Sequence, residues 1–143
     1  HVQYSNLLAE ATSLDEYSPP SHASTFMQVN VRSLSSRIND LRLLVRRVSD
    51  NPPIAICVTE TWLDNDDDEN LAAYQIPGYV LKSRARMSGP RGGVGIYVRS
   101  DVQFEILPCE ISYSECLLME LKNLPLQGTP VVQGAIYSSP VLL

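Results

Sequence analysis

No apolar run in this chain is longer than a β-strand and no secretory signal is visible, which excludes a membrane-spanning helix. Cysteine is scarce. The three present, Cys57, Cys109 and Cys116, form no C-x-x-C or zinc-like spacing, and an odd number suits thiols in a reducing, intracellular compartment better than a disulfide framework. Acidic residues are missing from the whole interval between Glu69 and Asp101, although the chain carries a net charge of −5. The overall charge speaks against a protein that coats nucleic acid unspecifically. Within the acid-free interval, however, stand Lys82, Arg84, Arg86, Arg91 and Arg99, so a local basic face for nucleic acid is one expectation. A hairpin with its basic residues on the wet side is the other.

Two tempting motifs are also incomplete. The run Asp64-Asn65-Asp66-Asp67-Asp68-Glu69-Asn70 lacks the turn glycine and the twelfth-position ligand of an EF-hand loop, so it reads as a solvated loop or helix start. Met87-Ser88-Gly89-Pro90-Arg91-Gly92-Gly93 precedes a strand instead of opening a helix and has no Lys-Ser/Thr pair, which excludes a phosphate loop.

What is present is ordinary globular composition, 44% hydrophobic and 19% charged over 143 residues, enough for one domain. Residues 1–23 carry the Ser18-Pro19-Pro20-Ser21 run and no sustained period, and read as an N-terminal arm or linker. There is no initiating methionine, so a piece of something longer is expected. Organisation begins with a β-prone run, Thr25 to Val31, that reaches a polar residue at Asn30. Then Leu34, Ile38, Leu41, Leu44, Val45 and Val48 recur at helical spacing, with the Ser33, Ser35 and Ser36 hydroxyls available as caps and Asn51-Pro52-Pro53 as the stop. A second run, Ile54 to Thr59, is continuously apolar and meets a carboxylate only at Glu60, the pattern of a buried parallel strand. A crossover between two such strands sets Asn30 and Glu60 at the same end of one sheet, the end where α/β sheets bind ligands. Five further strands are predicted: Tyr79 to Arg84 and Val94 to Arg99 as an antiparallel hairpin, then Val102 to Leu107, Cys116 to Leu121 and Val131 to Tyr137.

Five motifs stand in a particular order and spacing: Asn30-Val31-Arg32-Ser33-Leu34, Thr59-Glu60-Thr61-Trp62-Leu63, Ile76-Pro77-Gly78-Tyr79, Arg91-Gly92-Gly93-Val94-Gly95-Ile96-Tyr97-Val98 and Gly134-Ala135-Ile136-Tyr137. In this the chain resembles the endonuclease/exonuclease/phosphatase superfamily, and most closely the apurinic-type endonuclease domain of non-LTR retrotransposons. The resemblance implies an α/β fold, the N-terminal half of a DNase I-like α/β sandwich with a mixed, mainly antiparallel sheet, over residues 24–143. It implies Mg2+ as cofactor and DNA as partner, in the nucleus if chromosomal DNA is the target. Glu60 matches the acid that binds the metal, Asn30 the asparagine beside it and Tyr137 a tyrosine that contacts the scissile phosphate. Each also has a plain reading, as a strand-end acid, a turn residue and a core aromatic.

The chain departs from the family pattern after Tyr137. It has Ser138 where relatives usually carry arginine, no Gly-Asp-x-Asn loop and no Ser-Asp-His motif; its histidines are His1 and His22 and no aspartate follows Asp101. The expectation is therefore a domain truncated on its C-terminal side and inactive alone, because losing several members of a catalytic unit leaves only residual activity. With the second half missing, the inner face of the sheet is expected to be uncovered and prone to self-association. The alternative function is a non-catalytic remnant that binds or oligomerises through the Lys82 to Arg99 face.

Overall fold

A computed structural model describes residues 25–86, 91–109, 114–122 and 131–138, the last of these by backbone alone. The arm expected over residues 1–23, and residues 87–90 of the glycine-containing loop, lie outside the described residues. Strand β1 (Phe26–Asn30) leads into helix α1 (Leu34–Arg47), which returns the chain to β2 (Ala55–Thr59). The side-chain oxygen of Ser33 caps α1 by accepting the Ser36 N–H at 3.4 Å, and arginines Arg46 and Arg47 occupy its last turn, where the helix dipole favours cations. All six residues of the apolar stripe, Leu34 to Val48, are buried.

β1 and β2 pair in parallel with Asn30 opposite Thr59, so the two strands finish side by side. β4 (Val94–Arg99) pairs antiparallel with β2 on one side and with β3 (Tyr79–Arg84) on the other, giving a mixed sheet in the order β1-β2-β4-β3. Alternation along the strands sorts side chains to two faces. Met27, Val29, Ile56, Val58, Leu81 and Tyr97 meet the α1 stripe. Ala55, Cys57, Val94, Ile96 and Val98 face the other way. β2, buried at every position, needs apolar residues on both faces, which is why it reads as an unbroken run.

That second face corrects one expectation from the sequence. It is not bare: β5 (Phe104–Leu107), β6 (Ser114–Leu121) and β7 (Val131–Ser138) form a second antiparallel sheet, and Leu117, Met119 and Leu121 of β6 pack on it. Met119 has no exposed surface. The ground for self-association through an uncovered inner face is thereby removed, because the last three strands cover that face instead of extending the first sheet. Among the described residues, the large exposed hydrophobics are Leu43, Val80 and Ile106, from three different elements.

The cysteines are a second correction. Cys109 and Cys116 are joined as a disulfide, their Cα atoms 6.0 Å apart, while Cys57 is buried in β2. Counting cysteines could not show that two of the three are brought together by the β5–β6 connection. The thiol-based ground for a reducing compartment falls with it.

Two tyrosines lock the helix-side core to the backbone. The Tyr97 hydroxyl donates to the Tyr74 carbonyl at 2.7 Å and the Tyr79 hydroxyl to the Pro53 carbonyl at 2.5 Å. Burial raises both phenols well above the ordinary tyrosine range. A raised folded-state value means that their contribution to stability is complete below the unfolded value of about pH 10 and is lost as pH climbs from there toward the folded value. Urea midpoints measured across that interval are expected to fall steeply, and less so in Tyr97→Phe; a wild-type midpoint indifferent to alkali would contradict this.

Candidate metal and phosphate site

The parallel pairing of β1 and β2 continues beyond their last strand residues. Val31 N–H donates to the Thr59 carbonyl at 3.0 Å, Ser33 N–H to Glu60 at 2.9 Å and Leu34 N–H to Thr61 at 2.9 Å. The first turn of α1 is thus tied to the turn that follows β2. Here the Asn30 side-chain Nδ2 donates to Glu60 Oε2, with both residues half-buried. Asn30 Oδ1 is buried and finds no hydrogen-bond partner among the described residues.

Five non-glycine residues have positive φ among the described residues, and all border this spot: Arg32 (44°), Ser33 (88°), Glu60 (55°), Trp62 (58°) and Arg91 (89°). Each such conformation costs about 1–3 kcal/mol and persists only where surrounding contacts impose it. Gly92 and Gly93 supply one set of those contacts. The Gly93 carbonyl accepts Thr61 N–H at 3.2 Å and the Gly92 carbonyl accepts Trp62 N–H at 2.8 Å. Gly93 has φ of 86° and a Cβ there would run into Thr61 Oγ1, so both backbone freedom and close approach require glycine. The Arg91 guanidinium lies over the Trp62 ring, 5.0 Å from its centroid.

The second sheet reaches the same end. Glu115, at the start of β6, accepts Gly93 N–H through Oε1 at 3.3 Å, and β6 pairs Glu115 with Tyr137 of β7. The backbone of Tyr137 therefore stands at the Asn30–Glu60 end, while its side chain lies outside the described residues. Glu115 is absent from the sequence-based set of site residues. An acid just before the apolar run of β6 is the signal, but only the antiparallel course of that strand brings its start to this end.

The five cations of the acid-free interval do not form one face. Arg99 N–H donates to the Ile54 carbonyl at the far end of β2, and its side chain is bonded to Asp101 at 2.6 Å and the Pro52 carbonyl at 2.9 Å. The same guanidinium holds the exposed Asp101 carboxyl below its ordinary range. Lys82 sits midway along β3, opposite Ile96. Arg84 donates to the Cys109 and Cys116 carbonyls at 2.9 and 3.2 Å, and Arg86 pairs with Glu115 at 3.1 Å. Arg84, Arg86 and Arg91 lie toward the Glu60 end, and Arg99 does not.

Oxygen chemistry suits a hard dication. A carboxylate and an amide oxygen without a hydrogen-bond partner, at the end of two adjacent strands, fit the one or two protein ligands that magnesium takes beside water and phosphate. No cluster of three or more His, Cys, Asp or Glu able to hold a metal occurs among the described residues.

Residues 27–136, from β1 into β7, match the model of the endonuclease/exonuclease/phosphatase family, well over half of the chain. The chain belongs to that family. Its fold is the family's α/β one, with the mixed four-stranded sheet matching part of a DNase I-like fold. An AP endonuclease from Leishmania major, known from its crystal structure, is similar with a TM-score of 0.65 at 20% identity, over 86% of this chain and 42% of that one. The chain thus spans less than half the length of that enzyme, and at this identity the likeness is one of fold. Among curated proteins none matches. The family match includes Asn30 and Glu60 and ends one residue before Tyr137.

Proposed function

We propose that residues 24–143 are part of a magnesium-dependent DNA endonuclease domain of the apurinic type found in non-LTR retrotransposons, and that they supply its metal-holding side. The observation that carries this is the Asn30–Glu60 pair with its spare amide oxygen. Support for the retrotransposon branch is the Thr59-Glu60-Thr61-Trp62-Leu63 context. Glu60 and Asn30 would hold Mg2+, which when bound supplies Lewis-acid polarisation of a phosphoryl oxygen. Glu60 contributes the anionic oxygen. Asn30 fixes the orientation of that carboxylate through Nδ2 and offers Oδ1 as a neutral donor. In this reading Tyr137 contacts the scissile phosphate, and Arg91, stacked on Trp62 two residues from Glu60, is a candidate contact to the same polyanion. The proposed basic contacts narrow to the cations at this end.

Hydrolysis needs more than a held metal. A positioned acid or base is worth about 10²- to 10⁴-fold, and these 143 residues contain no Gly-Asp-x-Asn or Ser-Asp-His group to supply one. In the proposed reading the chain alone binds the cation and leaves DNA intact. Incubated with supercoiled plasmid and Mg2+, it is expected to produce no nicks above background, and to bind duplex DNA in a manner that weakens with salt and strengthens with Mg2+. Nicking that Glu60→Ala abolishes would overturn the inactivity, and binding indifferent to Mg2+ would contradict the nuclease reading. Against the alternative, a binding or oligomerising module, stand the covered inner face and the position of Arg99 at the other end of the sheet from Arg84 and Arg86.

A further inference from the structure

Glu115 belongs to the second sheet, yet its carboxylate serves the loop beside Glu60. Its side chain is 11% exposed, and a single oxygen, Oε1, both accepts Gly93 N–H at 3.3 Å and pairs with Arg86 Nε at 3.1 Å. A Cβ on Gly92 would collide with that oxygen and crowd the Arg86 guanidinium, so carboxylate, guanidinium and loop backbone occupy one tight junction. The carbonyls of Gly92 and Gly93 in turn accept the N–H groups of Trp62 and Thr61, the two residues after Glu60. An unbroken chain of contacts therefore runs from Glu115 through Gly93 and Thr61 to Glu60, whose own backbone is held at a φ of 55°.

We propose that Glu115 is a positioning residue for Glu60. By anchoring the Gly92–Gly93 backbone from the opposite sheet, it fixes the ledge on which the 60–62 turn hangs, and so fixes where the Glu60 carboxylate stands. This deepens the reading of Glu60 as the metal-holding acid and rests on it. A half-buried ion pair by itself contributes little net stability, because desolvation and solvent screening offset attraction. The informative contact is instead the one to Gly93, which a carboxylate serving only Arg86 would not need. Without Glu115 the Gly93 N–H loses its partner and Arg86 loses its counter-charge, leaving the ledge free to shift.

Trp62 makes this measurable. It is the sole tryptophan, two residues from Glu60, and stacked against Arg91. In the 143-residue chain its emission reports the ledge directly, and terbium in place of magnesium gives luminescence sensitised by Trp62 if the ion sits at Glu60. Glu115→Ala is expected to weaken terbium binding about 10- to 100-fold, the range for losing an outer partner of a metal ligand, and to shift Trp62 emission. Glu115→Gln keeps the reach and an acceptor for Gly93 but loses the charge. It is expected to stay within about threefold of wild type, well inside that range. Glu115→Asp keeps the charge for Arg86 but withdraws the oxygen from Gly93, and is expected to behave like alanine. This variant carries the test if Glu115→Ala loses its far-ultraviolet circular dichroism.

The reverse order, with aspartate like wild type and glutamine like alanine, would overturn the proposal in favour of a plain ion pair. So would wild-type terbium affinity and emission in all three variants. Glu60→Gln separates the two readings. If sensitised luminescence in wild type does not depend on Glu60, the metal reading fails, and the emission of Trp62 across the Glu115 series still decides whether Glu115 sets the ledge.

Discussion

Glu60→Ala is expected to abolish divalent-cation binding, with a loss beyond the roughly 100-fold that removal of an outer partner costs. Glu60 supplies the carboxylate bonded to Asn30 at the ends of β1 and β2, and Asn30 alone offers a neutral amide that cannot offset the dehydration of a small dication. Glu60→Gln isolates the charge, since its amide oxygen can still accept from Asn30 Nδ2. It is expected to keep the wild-type fold and to lose the cation. Alanine has a further cost: the half-buried Asn30 amide is left without its acceptor, worth about 1–3 kcal/mol. Calorimetric titration with MgCl2, together with urea unfolding of both variants, reads the two effects separately. Unchanged magnesium affinity in either variant would place the cation elsewhere.

Met119→Asp is expected to abolish the cooperative unfolding transition. Met119 is fully buried where β6 crosses the inner face of the first sheet, among Ile96, Val98 and Leu121. Truncation to alanine removes packing and leaves a cavity, at a cost of about 2–5 kcal/mol. An aspartate adds the burial of an unpaired charge, several kcal/mol more, against a total stability on the order of 5–15 kcal/mol for a domain. Denaturation followed by circular dichroism should therefore show Met119→Ala displaced to lower urea and Met119→Asp without a native baseline. If Met119→Ala unfolds within about 0.5 kcal/mol of wild type, as surface substitutions do, the second sheet does not cover the first.

The sequence was most informative where one physical signal dominated. The α1 stripe was legible from its period, and β2 from an apolar run that only a strand buried on both faces needs. Asn30 and Glu60 were legible as the polar residues that close those strands, and their pairing followed from the parallel register. Strand limits shifted where a turn competed. Val102 reads as strand and is buried, but its N–H closes a turn on the Arg99 carbonyl, so β5 starts only at Phe104.

Relations between distant segments were not legible. That β5, β6 and β7 make a second sheet over the first depends on the sum of apolar contacts between faces, which no local pattern records. The same holds for Glu115, which meets Gly93 across 22 positions, and for the Cys109–Cys116 bridge. The positive φ of Glu60 and Trp62 contradicts their residue types, and is imposed where Thr61 and Trp62 N–H donate to the Gly93 and Gly92 carbonyls. Composition likewise showed an acid-free interval but not its division: Arg91 and Arg99 border the two ends of the same strand, and so serve opposite ends of the sheet.

The most direct measurement is the paramagnetic broadening of amide signals by Mn2+, used as a substitute for Mg2+, in the 143-residue chain. Broadening should begin at the Asn30 side-chain amide and the backbone amides of Glu60 and Thr61, spread next to Gly92 and Gly93, and vanish in Glu60→Gln. Broadening centred on the Asp64 to Glu69 run, with Asn30 and Glu60 untouched, would contradict a cation shared by the tips of β1 and β2.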